Sequence, residues 1–155
     1  MLHYTSCGLD NVWLRNGYKV HKTAYGSGVA IKEADALHAL LATNLLAKKG
    51  RLSGKEFRFL RVQLGMSQGA IAKLQGVTEQ SVSLWERTGK VPAANDMLTR
   101  LCYLSHTAGD TPISQAIERL KIVEKLVHER IVASTAGAKW SSKIEADPAR
   151  ERVAA

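Results

Sequence analysis

Residues 64–92 read LGMSQGAIAKLQGVTEQSVSLWERTGKVP, and the organisation of the chain follows from them. Ser67 is a natural N-cap, which places Gln68 in the first turn of a helix predicted to run to about Leu74. Ile71 is a core position, and Ala72 is small, as two closely crossing helices require. Gly76 suits a left-handed turn, Val77 plugs the angle after it, and Thr78 caps a second helix. On that helix Val82 and Trp85 face inward at i and i+3. Glu79, Gln80, Ser83 and Leu84 then lie on or beside the outward face, with Arg87 and Lys90 following. This is the pattern of a helix-turn-helix, whose second helix enters the DNA major groove.

The residue types suit that role. Gln68 lies where the backbone amides and the helix dipole can meet a phosphate. Ser67, Thr78, Ser81, Arg87 and Lys90 complete the expected phosphate-contacting set. For base reading, Gln80 suits adenine, Glu79 could accept from cytosine, and Leu84 offers apolar contact to a thymine methyl. Each good bidentate pair is worth ~1–3 kcal/mol of discrimination. An equally good account of Glu79 is that its charge favours the helix N-terminus.

The surrounding charge agrees with the motif. The chain has 155 residues, a net charge of +8 and a sequence pI near 9.7, which favours a polyanionic partner. Between Leu45 and Arg100 ten Lys/Arg face four acids, a balance of +6, so most of the charge lies around the motif. A solvated basic surface would explain the charge equally well by itself; its coincidence with the motif favours DNA. The hydrophobic fraction of 45% is that of a globular chain. Cys7 and Cys102 are isolated thiols, which suggests a reducing cytoplasm rather than a disulfide framework. No signal-peptide pattern is visible, and no apolar run approaches the ~20 residues needed to span a bilayer. A soluble cytoplasmic protein with no membrane partner is expected.

Working outward, Val12-Trp13-Leu14 and Tyr18-Lys19-Val20 flank Asn16-Gly17, a favourable hairpin pair, and a further turn and strand follow over residues 25–31. Residues 33–47 place Leu37, Leu40, Leu41 and Leu45 on one helical face. Ser53 and Glu56 fit a capping box for a helix that buries Phe57, Leu60 and Leu64 and exposes Arg58 and Arg61. After Pro92 a helix over residues 93–105 is expected to turn Leu98, Leu101 and Cys102 inward. A long helix over residues 113–132 carries Ile113, Ile117, Leu120 and Val127 on one stripe; it either packs on the chain's own core or supports dimerisation. Residues 134–155 are expected to form a mobile tail.

Residues 53–105 resemble the Cro/repressor (XRE) helix-turn-helix family. The likeness is carried by Met66-Ser67-Gln68, Ala72, Gly76-Val77-Thr78, Ser81-Val82 and Trp85-Glu86-Arg87, followed by Pro92 and an apolar helix. It implies a five-helix lambda-repressor-like domain in which Gln68 contacts a phosphate and Glu79, Gln80, Ser83 and Leu84 read bases. Two positions depart from the family pattern: Gln75 replaces the usual apolar residue before the turn glycine, and Gly89 comes one residue late. The overall layout is similar to that of MqsA-type antitoxins, which hold zinc through paired cysteines. Here only Cys7 is present, with His3 and His21 nearby, short of the four ligands of structural zinc, so no metal is expected.

The expectation is a mainly α protein in four parts: a small N-terminal α+β unit (1–50), the DNA-binding domain (51–108), the C-terminal helix (109–133) and the tail (134–155). Its function would be that of a dimeric, sequence-specific double-stranded-DNA-binding regulator, acting as a repressor, with no cofactor. The alternative is an antitoxin or adaptor that grips a toxin or other partner protein through the N-terminal unit, a reading prompted by Tyr4, Trp13, Tyr18 and Tyr25. The scattered histidines and the absence of any catalytic signature argue against an enzyme.

Overall fold

The computed structural model describes residues 1–108 and 128–148. It corrects the mainly α expectation: the described residues are about 45% helical but 26% strand, with the strands in two sheets. The elements, in chain order, are β1 (Leu2–His3), β2 (Val12–Leu14), β3 (Tyr18–Thr23), β4 (Gly26–Ile31), α1 (Ala34–Leu46), α2 (Gly54–Gln63), α3 (Gln68–Gln75), α4 (Glu79–Thr88), α5 (Ala93–Ala108), β5 (Glu129–Ala136) and β6 (Lys139–Ala146). They divide into two compact units. The first takes Met1–Leu41 together with the chain from His128, and the second begins at Ala42.

The first unit is built on a four-stranded sheet of order β1-β2-β5-β6. β2 pairs in parallel with β5, with Val12 opposite Ile131, and β5 and β6 form an antiparallel pair. Leu9, Val12, Leu14, Ile131, Val132 and Ala133 are buried. Asn11 donates to the Glu129 carbonyl at 2.7 Å. Asn16 extends the pairing with its side chain, donating to the Thr135 carbonyl at 3.0 Å and accepting from its amide at 2.6 Å.

Three expectations change here. The Asn16-Gly17 pair does not join β2 to β3; β3 pairs instead with β4, around a turn at Ala24 and Tyr25. Residues 129–132 are strand rather than helix end, and residues 134–146 are largely strand rather than tail. The proposed dimerisation residues Ile113, Ile117, Leu120 and Val127 lie outside the described residues. Two causes lie behind the missed strands. On one side Ile131 and Val132 pair with β2, near the start of the chain, and nothing local marks that pairing. On the other, β5 pairs with β6 across a two-residue turn at Gly137 and Ala138, a local hairpin that the tail expectation overlooked.

The second unit holds α2 to α5. Ser53 accepts from the Glu56 amide at 3.2 Å while Glu56 Oε1 accepts from the Ser53 amide at 2.8 Å, a complete capping box. The core gathers Phe57, Ile71, Ala72, Val82, Trp85 and Val91, with Met66 and Val77 packed against it. Phe57 meets Trp85 edge-on, with ring centroids 5.9 Å apart. Gly54 has no room for a side chain, because a Cβ there would overlap the backbone carbonyl of Glu86.

The inward face of α5 also differs from expectation. Asp96, Thr99, Arg100 and Tyr103 are buried, whereas Leu98 is 42% exposed and Leu101 and Cys102 are half-buried. Arg100 forms an ion pair with Asp96 at 2.8 Å and donates to the carbonyls of Lys48 and Gly50. Asp96 accepts from the Leu52 amide at 2.6 Å. Lys48 closes the segment with an ion pair to Glu56 at 2.7 Å. Burial pushes the Asp96 carboxyl above its ordinary range, against the pull of the Arg100 guanidinium. These bonds satisfy the Lys48 and Gly50 carbonyls and the Leu52 amide, in a connection with few apolar side chains of its own. No helix among the described residues is long and apolar enough to cross a membrane.

Candidate nucleic-acid interface

The caps at Ser67, Gly76, Thr78 and Gly89 set the geometry of α3 and α4. The Ser67 hydroxyl accepts from the Ala70 amide at 3.0 Å and starts α3. Gly76, at φ +68°, ends it in a left-handed conformation, with the Gly76 amide on the Lys73 carbonyl and the Val77 amide on the Ala72 carbonyl at 2.9 Å. The Thr78 hydroxyl accepts from the Ser81 amide at 3.1 Å and starts α4 only two residues later. Gly89, at φ +74°, closes α4. The glycine that stands one residue later than the resemblance implies is thus the C-terminal stop of α4.

The second departure from that pattern also has a structural account. Gln75 Nε2 donates to Thr99 Oγ1 at 2.8 Å, and Asn95 donates to Gln75 Oε1 at 3.0 Å. An amide link therefore joins α3 to α5 at this position, and Leu74 is left 58% exposed.

The orientation of α4 is fixed by a charged network that sequence reasoning missed. Arg61 was expected on the surface; it is buried, and its Nε donates to Glu86 Oε1 at 2.6 Å. It also donates to the Met66 carbonyl at 2.9 Å. Gln68 Nε2 donates to Glu86 Oε2 at 2.7 Å. One carboxylate on α4 thereby gathers a guanidinium from α2 and an amide from α3. The apolar pattern around Arg61 carried no signal for this, because its partner Glu86 lies on another helix, 25 residues away.

Most of the expected site residues fall into three groups, with Glu79 apart from them. Gln80 and Leu84 are exposed on the outer face of α4, and Ser83 is half-buried beside them. Arg87 and Lys90 are exposed, with Arg87 Nε 3.4 Å from the Ser83 carbonyl. The hydroxyls of Ser67, Thr78 and Ser81 are occupied at the helix N-termini, Thr78 and Ser81 being 2.9 Å from each other. Glu79 is exposed, but its carboxylate lies against the first turn of α3: a Cβ at Gly69 would stand 3.4 Å from Glu79 Oε2. That placement favours the electrostatic account of Glu79 over base reading, since the carboxylate occupies the positive end of a helix dipole.

Two of the three possible zinc ligands of the first unit have other partners. His3 Nε2 is 2.7 Å from the Asp10 carbonyl and its ring stacks on Trp13 with centroids 4.2 Å apart. Cys7 Sγ is 3.7 Å from the Tyr4 carbonyl, and burial pushes the thiol above its ordinary range. His21 is exposed on β3. Compared with protein-family models, with curated proteins and with solved structures, the chain matches none of them.

Proposed function

We propose that this chain is a sequence-specific double-stranded-DNA-binding transcription regulator of the Cro/repressor type, acting as a dimeric repressor. The observation that carries the reading is the outer face of α4, where Gln80, Leu84 and Arg87 are exposed while Glu86 is tied behind them to Arg61 and Gln68. A reading face needs side chains free to meet base edges on a helix that does not rotate, and this arrangement supplies both. Selection of bound duplexes from a random pool, followed by Gln80→Ala, tests it. The variant should lose about ten-fold or more of its preference for the selected duplex. Absence of DNA binding at low salt would end the proposal.

Dimerisation belongs to the same reading, because helix-turn-helix proteins gain affinity from two half-sites about 34 Å apart. Ile113, Ile117, Leu120 and Val127 are its proposed contacts. Removing the chain after Gly109 would also remove β5, so sedimentation of full-length Ile117→Asp/Leu120→Asp is the appropriate test. A dimer that survives both substitutions refutes the assignment.

A second reading, an antitoxin or adaptor gripping a partner protein through the first unit, retains one observation: Tyr25 and Val20 are 101% and 54% exposed. Tyr4 is buried and Trp13 stacks on His3, so neither supports it. Purification under native conditions that recovers no partner counts against it.

A further inference from the structure

β3 and β4 form an antiparallel ribbon of six residues in each strand. Residues 19–30 are exposed throughout, so the ribbon has no core of its own. Its register places Tyr18, Val20 and Lys22 with Ile31, Val29 and Ser27 on one face; Lys19, His21 and Thr23 share the other with Ala30, Gly28 and Gly26. Residues 15–32 contain Arg15, Lys19, Lys22 and Lys32 and no acid. Among the described residues neither Lys19 nor Lys22 has an ion-pair partner.

An isolated two-stranded ribbon is marginal in water, yet this one is anchored at its root. The Lys32 amide donates to the Gly17 carbonyl at 2.9 Å, Lys32 Nζ to the Gly137 carbonyl at 2.8 Å, and Trp140 Nε1 to the Lys32 carbonyl at 3.1 Å. At the tip, Thr23 Oγ1 donates to the Gly26 carbonyl at 2.7 Å and accepts from the Tyr25 amide. The result is a braced arm whose exposed cations have no ion-pair partner among the described residues.

We infer that this ribbon is a second DNA contact, in which Lys19 and Lys22 neutralise backbone phosphates and read no bases. The inference rests on the DNA-binding function proposed above. Charge complementarity carries it: the exposed lysines, in a stretch with no acid, match a polyanionic backbone, and a two-stranded ribbon is narrow enough to follow a groove edge. Such contacts add affinity that is independent of sequence and sensitive to salt.

The test uses the full-length protein, a labelled random-sequence duplex and the duplex recovered by selection, titrated across salt. Lys19→Gln/Lys22→Gln should reduce the slope of log K against log salt by about 1.8, at roughly 0.9 per phosphate. Between about 50 and 200 mM salt the wild type would then lose about 12-fold more affinity than the variant. The ratio of selected to random binding should not change, whereas Gln80→Ala should lower that ratio and keep the slope. An unchanged slope in the lysine variant, with Gln80→Ala losing selectivity, overturns the ribbon contact and leaves the helix-turn-helix reading intact. A reduced slope with no effect of Gln80→Ala keeps the ribbon and overturns that reading. If Val20→Ser/Val29→Ser dissolves a dimer or releases a partner protein while the lysine variant keeps its slope, the ribbon is a protein contact and the inference fails. No binding of either duplex by the wild type overturns both.

Discussion

Glu86→Ala should cost far more than a surface charge, because of what it leaves behind. The Arg61 and Glu86 side chains are 11% and 7% exposed and meet at 2.6 Å. Without the carboxylate, Arg61 keeps only the Met66 carbonyl, at 2.9 Å, and Gln68 loses the acceptor that holds its amide. Breaking a buried pair from one side costs ~3–5 kcal/mol, and the residual solvent access of both side chains places this case at about 3 kcal/mol. The double replacement Arg61→Met/Glu86→Leu removes both charges and fills similar volume, so its cost should be below about 1 kcal/mol. Urea unfolding followed by far-UV circular dichroism reads the effect, since four of the five described helices lie wholly within the second unit. A Glu86→Ala loss under about 1 kcal/mol, or a double variant as unstable as the sum of its singles, would refute the claim that the pair acts as a buried unit.

Three further outcomes follow from particular contacts. Gly54→Ala sets a methyl group against the Glu86 carbonyl and should cost about 2–3 kcal/mol, read as a lower urea midpoint; an unchanged midpoint would mean that α2 and α4 are farther apart than described. Glu79→Gln removes a carboxylate from the first turn of α3 and should tighten binding to random-sequence duplex roughly two- to five-fold, whereas loss of affinity for the selected duplex would instead mark Glu79 as a base reader. His38 lies 3.0 Å from the Tyr4 hydroxyl, and burial holds its imidazole below the ordinary value of 6.5 against the opposing pull of Asp35. The folded state therefore prefers neutral His38, so this stabilisation is present above pH 6.5 and is lost as pH falls below it toward the lowered folded value. A pH series of urea midpoints should show that loss, and His38→Gln should flatten it.

The two short helices α3 and α4 and the turn between them were legible because their signals are local. Ser53, Ser67 and Thr78 each bond an amide three residues on, and Gly76 and Gly89 mark their helix ends by backbone conformation alone. The reading failed where the partner is remote. Asp96 and Arg100 have the spacing of an ordinary exposed helix pair, and only the main chain of residues 48–52 makes them the buried face of α5. Arg61 looks like any surface cation until Glu86 arrives from another helix. The helical pattern extended through Ile131 misled because β5 satisfies its backbone with β2 and β6 rather than with itself. Of the candidate interface, Gln80, Leu84, Arg87 and Lys90 are exposed as expected, while the network behind them had no trace in local sequence.

The parallel pairing of β2 with β5 also bears on synthesis. Asn16 and Thr135, bonded through both ends of the asparagine amide, are 119 residues apart, and the whole of α2 to α5 is made between them. On a ribosome the helices of the second unit can pack as soon as they emerge, in keeping with domains folding as they are made. β2 is translated first, yet one of its edges has no partner until β5 follows. During that interval the waiting edge is open to the wrong strand, a hazard reduced by a β2 only three residues long. The order of folding thus reverses the order of translation: the portion made first is completed last.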